Sequence, residues 1–460
     1  MSGRDTPGAP AARTAVVLLC SVVALQYGWT CGAGFINDDY GWVEQARAAV
    51  SGLATPVSPI RIFLRPVIEW SFRLNYLISG STPVGYHLVN VLLEMVNTLL
   101  VWRLAGAVLV AELDGLLVAL LFAAHPAHAG AVTWVCGRTE LIAAAAYLAA
   151  TLLHLQQRAW SAAALFAVAL LSRESAISFP LVALLLDRDR AGIRVRPLVL
   201  YSTVLMGYLL VRRLTETSYI GYAGLDLITR GEGIGVCRLV GRQLIGAASA
   251  LLEPLGPPAA PSVGLLLGLV VFGLWTTAGI EAHRAVRFGS WWMVLTVLPF
   301  LGWTMFVPRY AYLPSLGLTL VLVGMARGLV SRYSPATWSR VVVAACLGIW
   351  CITATIALQR RNETLWRNGT MSGHIVAALA QVVPQPAPGT VFVVDGLGPL
   401  RLGRDPSVPS PVFVFGLSEA VRLRFADATL DAAFPNEPLA HTERPTIRLR
   451  WDAQTGTFIR

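Results

Sequence analysis

Long apolar runs recur along this chain, and they constrain its fold more than any other feature. The stretch 14–34 carries no charged residue, and further apolar runs cover 84–104, 113–128, 138–157, 159–172, 175–187, 197–214, 262–280, 290–306, 311–329 and 341–358. A bilayer core is about 30 Å thick and is crossed by roughly 20 residues of helix, which makes these runs about eleven candidate spans. Backbone groups inside lipid must bond within their own segment, so a bundle of helices is the expected solution. Composition agrees. Only 13% of the residues are charged, against about 25% in a soluble domain.

The opening MSGRDTPGAPAAR is followed directly by the first apolar run. That run is long enough to span and reads as a retained first helix rather than a cleaved leader. Two further stretches, 61–78 and 236–253, are apolar but studded with Arg, Glu and Gln. They read as amphipathic helices at the interface or re-entering it.

All 36 basic residues are arginine, and the net charge is +10. In a membrane chain such an excess sets topology before it binds nucleic acid, so no nucleic-acid partner is expected. Four arginines fall in 187–196, and Arg284, Arg287, Arg332 and Arg340 fall in the loops 281–289 and 330–340. These loops fall on one side if 236–253 does not span; held inside by the positive-inside rule, they then place the first loop 35–83 and the C-terminus outside. Arg360, Arg361 and Arg367 oppose that rule. The Arg-, Ala- and Gly-rich composition suggests a bacterial source. Six cysteines without any CxxC spacing support neither a zinc site nor a disulfide framework.

The chain changes character after the last span. Short runs at Thr390–Val394, Pro411–Phe415, Ala420–Phe425 and Thr446–Trp451 alternate between Pro and Gly breaks. They predict a small β-rich soluble region over 363–460, beyond a transmembrane domain over 1–362.

Chemistry-bearing residues cluster at the ends of the spans. Asp38 and Asp39 follow the first run. Adjacent carboxylates near apolar surroundings repel, so one can hold a raised pKa and serve as a base. The other reading is a helix cap formed by Asn37 and Asp38. Arg61, Arg65, Glu69 and Arg73 share one helical face. They suit either a phosphate or the headgroup layer. His87, Asn90, Glu94 and Asn97 lie within a span, where polar groups face a bundle interior. His125 and His128 flank a Pro. Two His are too few for a metal site, and no metal is expected. Arg138 and Glu140 open the next helix, Arg173 and Glu174 sit at a boundary, and Arg309 and Tyr310 sit at another.

In order, these strings resemble the transmembrane O-mannosyltransferases that carry tetratricopeptide repeats, and their bacterial relatives, within the GT-C class that uses polyprenyl-phosphate sugars. The acidic pair matches Asp38–Asp39, RPL matches Arg65–Pro66–Val67, YHLVNVLLH matches Tyr86–Glu94, HPxHxEAVxxxxGRxDxL matches His125–Leu141, a (K/R)E segment matches Arg173–Glu174, and ERYLYLPSxG matches Pro308–Gly317. The match covers 14–366. It departs at Gly130 and Pro308, where the family has Glu, at Glu94, where it has His, and in the absence of the repeats.

The resemblance implies an all-α, GT-C-like polytopic membrane bundle with a small extracytoplasmic β-rich C-terminal domain, in a bacterial inner membrane. It implies transfer of a sugar, without a cofactor, from a polyprenyl-phosphate donor to an extracytoplasmic protein or glycan acceptor, with inversion. Asp38 would be the base, with Asp39 the alternative. Arg65, Arg138, Arg173 and Arg309 would meet the donor phosphate. His87, Glu94, His125, His128, Glu140, Glu174 and Tyr310 would complete the substrate site. A non-catalytic membrane scaffold and a lipid or sugar transporter remain open, although no repeated halves of a transporter are visible.

Overall fold

The computed structural model describes residues 9–52, 63–109, 112–190, 192–215, 230–231, 233–255, 283–332, 337–397, 412–435 and 444–459. Its helices, in chain order, are α1 (Ala9–Tyr27), α2 (Asp38–Val50), α3 (Pro66–Ser79), α4 (Pro83–Leu109), α5 (Glu112–Ala123), α6 (Ala129–Val132), α7 (Arg138–Leu155), α8 (Ala159–Ser172), α9 (Phe179–Arg190), α10 (Val195–Leu214), α11 (Gly233–Leu252), α12 (His283–Val297), α13 (Tyr312–Arg332), α14 (Thr337–Val382) and α15 (Leu417–Phe425). The strands are β1 (Val391–Asp395), β2 (Asp431–Ala433), β3 (Thr446–Asp452) and β4 (Thr457–Ile459).

Among the described residues seven helices are long and apolar enough to cross a membrane, or eight if the bent pair Glu112–Ala123 and Pro126–Val132 is one span. The 54° bend falls beside Pro126, which cannot donate to the helix ladder. Three runs expected as spans, 159–172, 175–187 and 290–306, give helices of 14, 12 and 15 residues over α8, α9 and α12. The expected span 262–280 and Arg61 lie outside the described residues. The bundle is therefore multi-pass, packed around one apolar cluster that runs from Ala15 in α1 to Leu365 in α14.

The stretch 236–253, expected at the interface or re-entering it, is carried up to Leu252 by α11, which is long and apolar enough to span. Its second half nonetheless touches the end of the bundle that carries the first loop. Gln243 donates to the Trp303 carbonyl at 2.7 Å, and Glu253 just past the helix pairs with Arg361 at 2.6 Å.

The 46-residue α14 is about 70 Å long at 1.5 Å per residue, more than twice a bilayer core. Its lower half shows Val341, Ile349, Ile352 and Ile356 at the surface. The helix runs on past residue 362 and delivers the chain to the sheet. That sheet has the order β2-β1-β3-β4, with β1 parallel to both neighbours and β4 antiparallel to β3. The Ala420–Phe425 run, expected as strand, is helix α15, because Leu417, Ala420 and Val421 bury one helical face.

The sheet does not stand apart. Phe35, Tyr40, Trp42 and Val43 of the first loop share one apolar cluster with Ile375 and Leu379 of α14 and with Phe392, Phe413, Leu417 and Trp451 of the tail. First loop and tail therefore lie on the same side of the bundle. Gly34 and Gly369 make that contact close: a Cβ on Gly34 would sit 2.3 Å from the Gly369 carbonyl oxygen.

Candidate active site

The two adjacent aspartates face different surroundings. Asp39 is fully buried. Its Oδ2 accepts from the Ile36 N–H at 2.9 Å and its Oδ1 from the Cys136 N–H at 2.7 Å. It therefore ties the first loop to the segment ahead of α7. Burial lifts its carboxyl well above the usual carboxylate range, with the two N–H donors offsetting part of the rise. Asp38 is half-buried and accepts no hydrogen bond among the described residues. Burial raises its pKa too, opposed by the positive charges of Arg309 and Arg65 and reinforced by Glu419. Asn37 does not cap α2 with its side chain. Its Oδ1 instead accepts from the Val414 N–H of the tail at 2.9 Å.

The four arginines divide in the same way. Arg138 is wholly buried. Its Nε donates to Asn90 Oδ1 at 3.0 Å, its Nη2 to Asn75 Oδ1 at 2.8 Å and the Tyr86 carbonyl at 2.9 Å, and its Nη1 to Ser71 Oγ at 3.4 Å. It lies over Phe72 at 4.6 Å. With four of its five N–H donors engaged, it binds α3, α4 and α7 together and is held as a structural tie rather than as an open fork for a phosphate. Arg65 forms a two-nitrogen clasp on Glu174, at 2.8 Å from Oε1 and 3.2 Å from Oε2. Arg173 pairs with Glu140 at 3.0 Å and donates to Thr139 Oγ1 at 3.2 Å. Burial alone would raise the Glu174 carboxyl, but Arg65 and Arg173 hold it down at about 2.

Arg309 is different. Its guanidinium lies over Trp134 at 4.7 Å and over Tyr310 at 5.3 Å, and no acid or carbonyl takes its N–H groups among the described residues. Stacking on two aromatic faces holds the cation without consuming its donors. Tyr310 is in turn stacked on Phe300, centroids 4.5 Å apart, and carries Arg173 on its ring at 5.1 Å. Gly130 borders this group: a Cβ there would lie 3.4 Å from Arg309 Cβ. Trp134 and Glu419 were not singled out in the sequence. Trp134 lies inside the HPxH-type string, but nothing local marks it as a floor for Arg309.

The remaining polar residues form a second group within the bundle. His128 Nδ1 meets Glu94 Oε1 at 3.2 Å, and His128 Nε2 meets Ser315 Oγ at 3.0 Å. Tyr312 donates to Glu94 Oε2, and Asn97 donates to Tyr312 Oη. His125 Nδ1 accepts from the Ala127 N–H at 3.2 Å, so its Nε2 carries the proton and donates to the Leu251 carbonyl at 3.1 Å. His87 is buried and faces the backbone of Gly34, Ala33 and Thr133, without a hydrogen bond of ordinary geometry. No group of three or more His, Cys, Asp or Glu is poised to hold a metal ion among the described residues.

The loop-side group thus brings together Asp38, Arg65, Glu140, Arg173, Glu174, Arg309 and Tyr310, with Asp39 as its staple. A hydroxyl approaching Asp38 would meet a carboxylate with open lone pairs, and an anion approaching Arg309 would meet open N–H donors.

Comparison with known proteins agrees with this architecture. No family model matches the chain. Over 189 residues, 36% of this chain, it is 39% identical to the protein O-mannosyl-transferase Tmtc1 of Drosophila melanogaster. It is 35% identical over 186 residues to the human protein O-mannosyl-transferase TMTC3. The matched segments cover 22% and 20% of those relatives, so the chain spans only about a fifth of their length. In structure it is similar to ArnT from Cupriavidus metallidurans, solved with undecaprenyl phosphate bound, with a TM-score of 0.51 at 13% identity over 94% of this chain and 87% of that one. The same protein in its apo state gives 0.51 at 14% identity over 92% and 86%. The motif resemblance therefore holds: the chain has the fold of ArnT, a GT-C-like membrane bundle, and about a third of it is similar in sequence to protein O-mannosyl-transferases.

Proposed function

We propose that this chain is a GT-C-type glycosyltransferase that moves a sugar from a polyprenyl-phosphate donor to a hydroxyl of a protein or glycan acceptor. The observation that carries the reading is the open couple at the first loop. Asp38 and Arg309 keep their hydrogen-bonding capacity while the acids and arginines around them are engaged with one another. The likeness to O-mannosyl-transferases and the fold shared with ArnT support the choice of donor class.

The chemistry is a direct displacement. Asp38 takes the acceptor hydroxyl proton as the acceptor oxygen bonds to the anomeric carbon. The bond from that carbon to the phosphate oxygen breaks on the opposite face, which inverts the centre. The departing polyprenyl phosphate carries the negative charge to Arg309, whose free fork suits phosphate oxygens. Arg65 and Arg173 add positive field from behind their carboxylate partners. In this reading no metal or other cofactor takes part. On the same reading, the first loop and the tail face the extracytoplasmic side of a bacterial inner membrane, opposite the loops 187–196, 281–289 and 330–340 that the positive-inside rule holds inside.

The direct test is mass analysis of a serine- and threonine-containing peptide, and of glycan acceptors, after incubation with purified protein and polyprenyl-phosphate mannose or glucose. A single hexose added to one acceptor class is the expected result. No adduct on any acceptor, from protein that binds the donor, would leave the chain without this activity.

A further inference from the structure

We propose that the C-terminal region is the positioning element for the first-loop base: its segment 412–417 grips Asn37 and so fixes where Asp38 points. This rests on the assignment of Asp38 made above.

Three observations converge on Asn37. Its backbone has φ 45° and ψ −110°, a positive-φ conformation that a residue with a side chain rarely keeps unaided. Its side chain is spent on the tail, accepting the Val414 N–H at 2.9 Å rather than capping α2. Its carbonyl is covered by Gly416, which has φ +84°, and a Cβ on Gly416 would stand 2.3 Å from the Asn37 oxygen. That carbonyl also accepts the Tyr40 N–H at 3.2 Å, inside the first turn of α2. The grip on Asn37 is therefore a grip on the turn that carries Asp38.

The contact continues on both sides. Tyr40 stacks on Phe413 with centroids 5.8 Å apart, and its hydroxyl meets Ser372 Oγ of α14 at 2.8 Å. The Arg47 guanidinium reaches the Ala426 carbonyl at 3.4 Å. Glu419, on the first turn of α15, is close enough for its charge to act on Asp38. A tail serving only as a tether would need none of these contacts beside a carboxylate. A misplacement near 1 Å at a reacting group costs roughly a hundredfold in rate, so the fixing has a catalytic consequence.

Gly416→Ala and Gly389→Ala separate the grip from general damage to the domain. Both glycines have positive φ, at +84° and +78°, so both alanines strain the same small domain. A Cβ at Gly389 meets nothing within 4 Å, whereas one at Gly416 meets Asn37. Each full-length protein is assayed with polyprenyl-phosphate mannose and a serine- and threonine-containing peptide, and amide hydrogen exchange is followed at Asp39 and Tyr40. Gly416→Ala should lower kcat roughly tenfold or more, keep the donor KM within about twofold, and speed exchange at both amides. Gly389→Ala should do none of these. If Gly416→Ala does not fold, Asn37→Gly and Asn37→Asp decide: Gly keeps the backbone but lets the loop exchange faster, and Asp keeps the acceptor oxygen and the protection. Equal exchange and equal kcat in Gly416→Ala and Gly389→Ala, or wild-type behaviour in Asn37→Gly, overturns the proposal. Wild-type turnover in Asp38→Asn instead overturns the base assignment, and the exchange result still stands on its own.

Discussion

Two polar groups in this molecule are built from similar residues and end in different states. Within the bundle, Glu94, His128, Tyr312, Ser315 and Asn97 form a chain of hydrogen bonds, each side chain wholly or almost wholly out of solvent. At the loop side, Asp39, Arg138, Arg65, Glu174, Arg173 and Glu140 are engaged in the same manner, but Asp38 and Arg309 are left open. A buried polar group without a partner is expensive, so a fold normally closes such networks. Openness at two opposite charges, flanked by groups that each have a hydrogen-bond or ion-pair partner, marks where a ligand is to complete the set. Burial and charge alone would have ranked Arg138 and Glu94 first.

The comparison breaks most sharply at the paired aspartates. Asp38→Asn removes a base but no structural hydrogen bond, so turnover should fall about 10²–10⁴-fold, with donor binding and thermal stability kept. Asp39→Asn replaces an acceptor oxygen with an NH₂ that faces a backbone N–H, either that of Ile36 or that of Cys136. It should cost about 1–3 kcal/mol of stability. Detergent thermal melts alongside single-turnover rates check the pair. Stability loss in Asp38→Asn, or a pure rate loss in Asp39→Asn, would reverse the two roles.

The engaged arginines should behave as structure. Arg65→Ala strands the Glu174 carboxylate inside the protein and should cost about 3–5 kcal/mol, read as a lower midpoint in denaturant. Because Glu174 is held at about 2, below its ordinary 4.5, its pairing contributes stability that is complete above pH ~4.5 and is lost as pH falls towards 2. Arg65→Ala should flatten that acid limb. An unchanged limb would show that Arg173 alone holds Glu174.

This division explains what was legible beforehand. The bundle was legible because lipid imposes one rule on every span, and long apolar runs obey it. Strand β3 was legible from alternation, and β1 from a short β-branched apolar run, Val391–Val394, between Pro and Gly breaks. Helix α15 was not, because Val421-Arg422-Leu423-Arg424-Phe425 alternates like a strand, while the stripe that decides it, Leu417, Ala420 and Val421, begins before that run. The chemical residues were visible as types at span boundaries. Their states were not, since each is closed by a distant partner: Arg65 by Glu174, Asp39 by Cys136, Arg138 by Asn75. The part played by the tail was hidden for the same reason, as Asn37 meets Val414 across most of the chain.

Arg309→Ala should weaken use of the donor roughly ten- to a hundredfold, the worth of a charged hydrogen bond of about 1.5–3 kcal/mol, with little change in stability. Arg309→Lys should recover part of it, since the charge returns but the two-pronged geometry does not. Donor saturation curves read both. Wild-type saturation in the Ala variant would place the phosphate elsewhere.

The smallest effect is the most diagnostic of how the site is tuned. Asp38 must be ionised to act, so the rate should rise with pH through its pKa, which burial has raised. The charged groups acting on it are Arg309 and Arg65, which lower that pKa, and Glu419, which raises it. Glu419 belongs to the tail and is held only loosely, 4.0 Å from Arg422, which keeps Asp431 at 3.1 Å as a second partner. Glu419→Gln therefore removes one negative charge facing Asp38 and leaves Arg422 paired. The pKa of Asp38 should fall, and the acid limb of the pH–rate profile should move to lower pH. Removing the cation in Arg309→Ala should move the same limb to higher pH. Opposite shifts from the two variants would tie the titrating group of the reaction to a carboxylate lying between the tail and the bundle. Shifts in the same direction, or none from either, would mean that the limb belongs to a different group and that Asp38 is not the base.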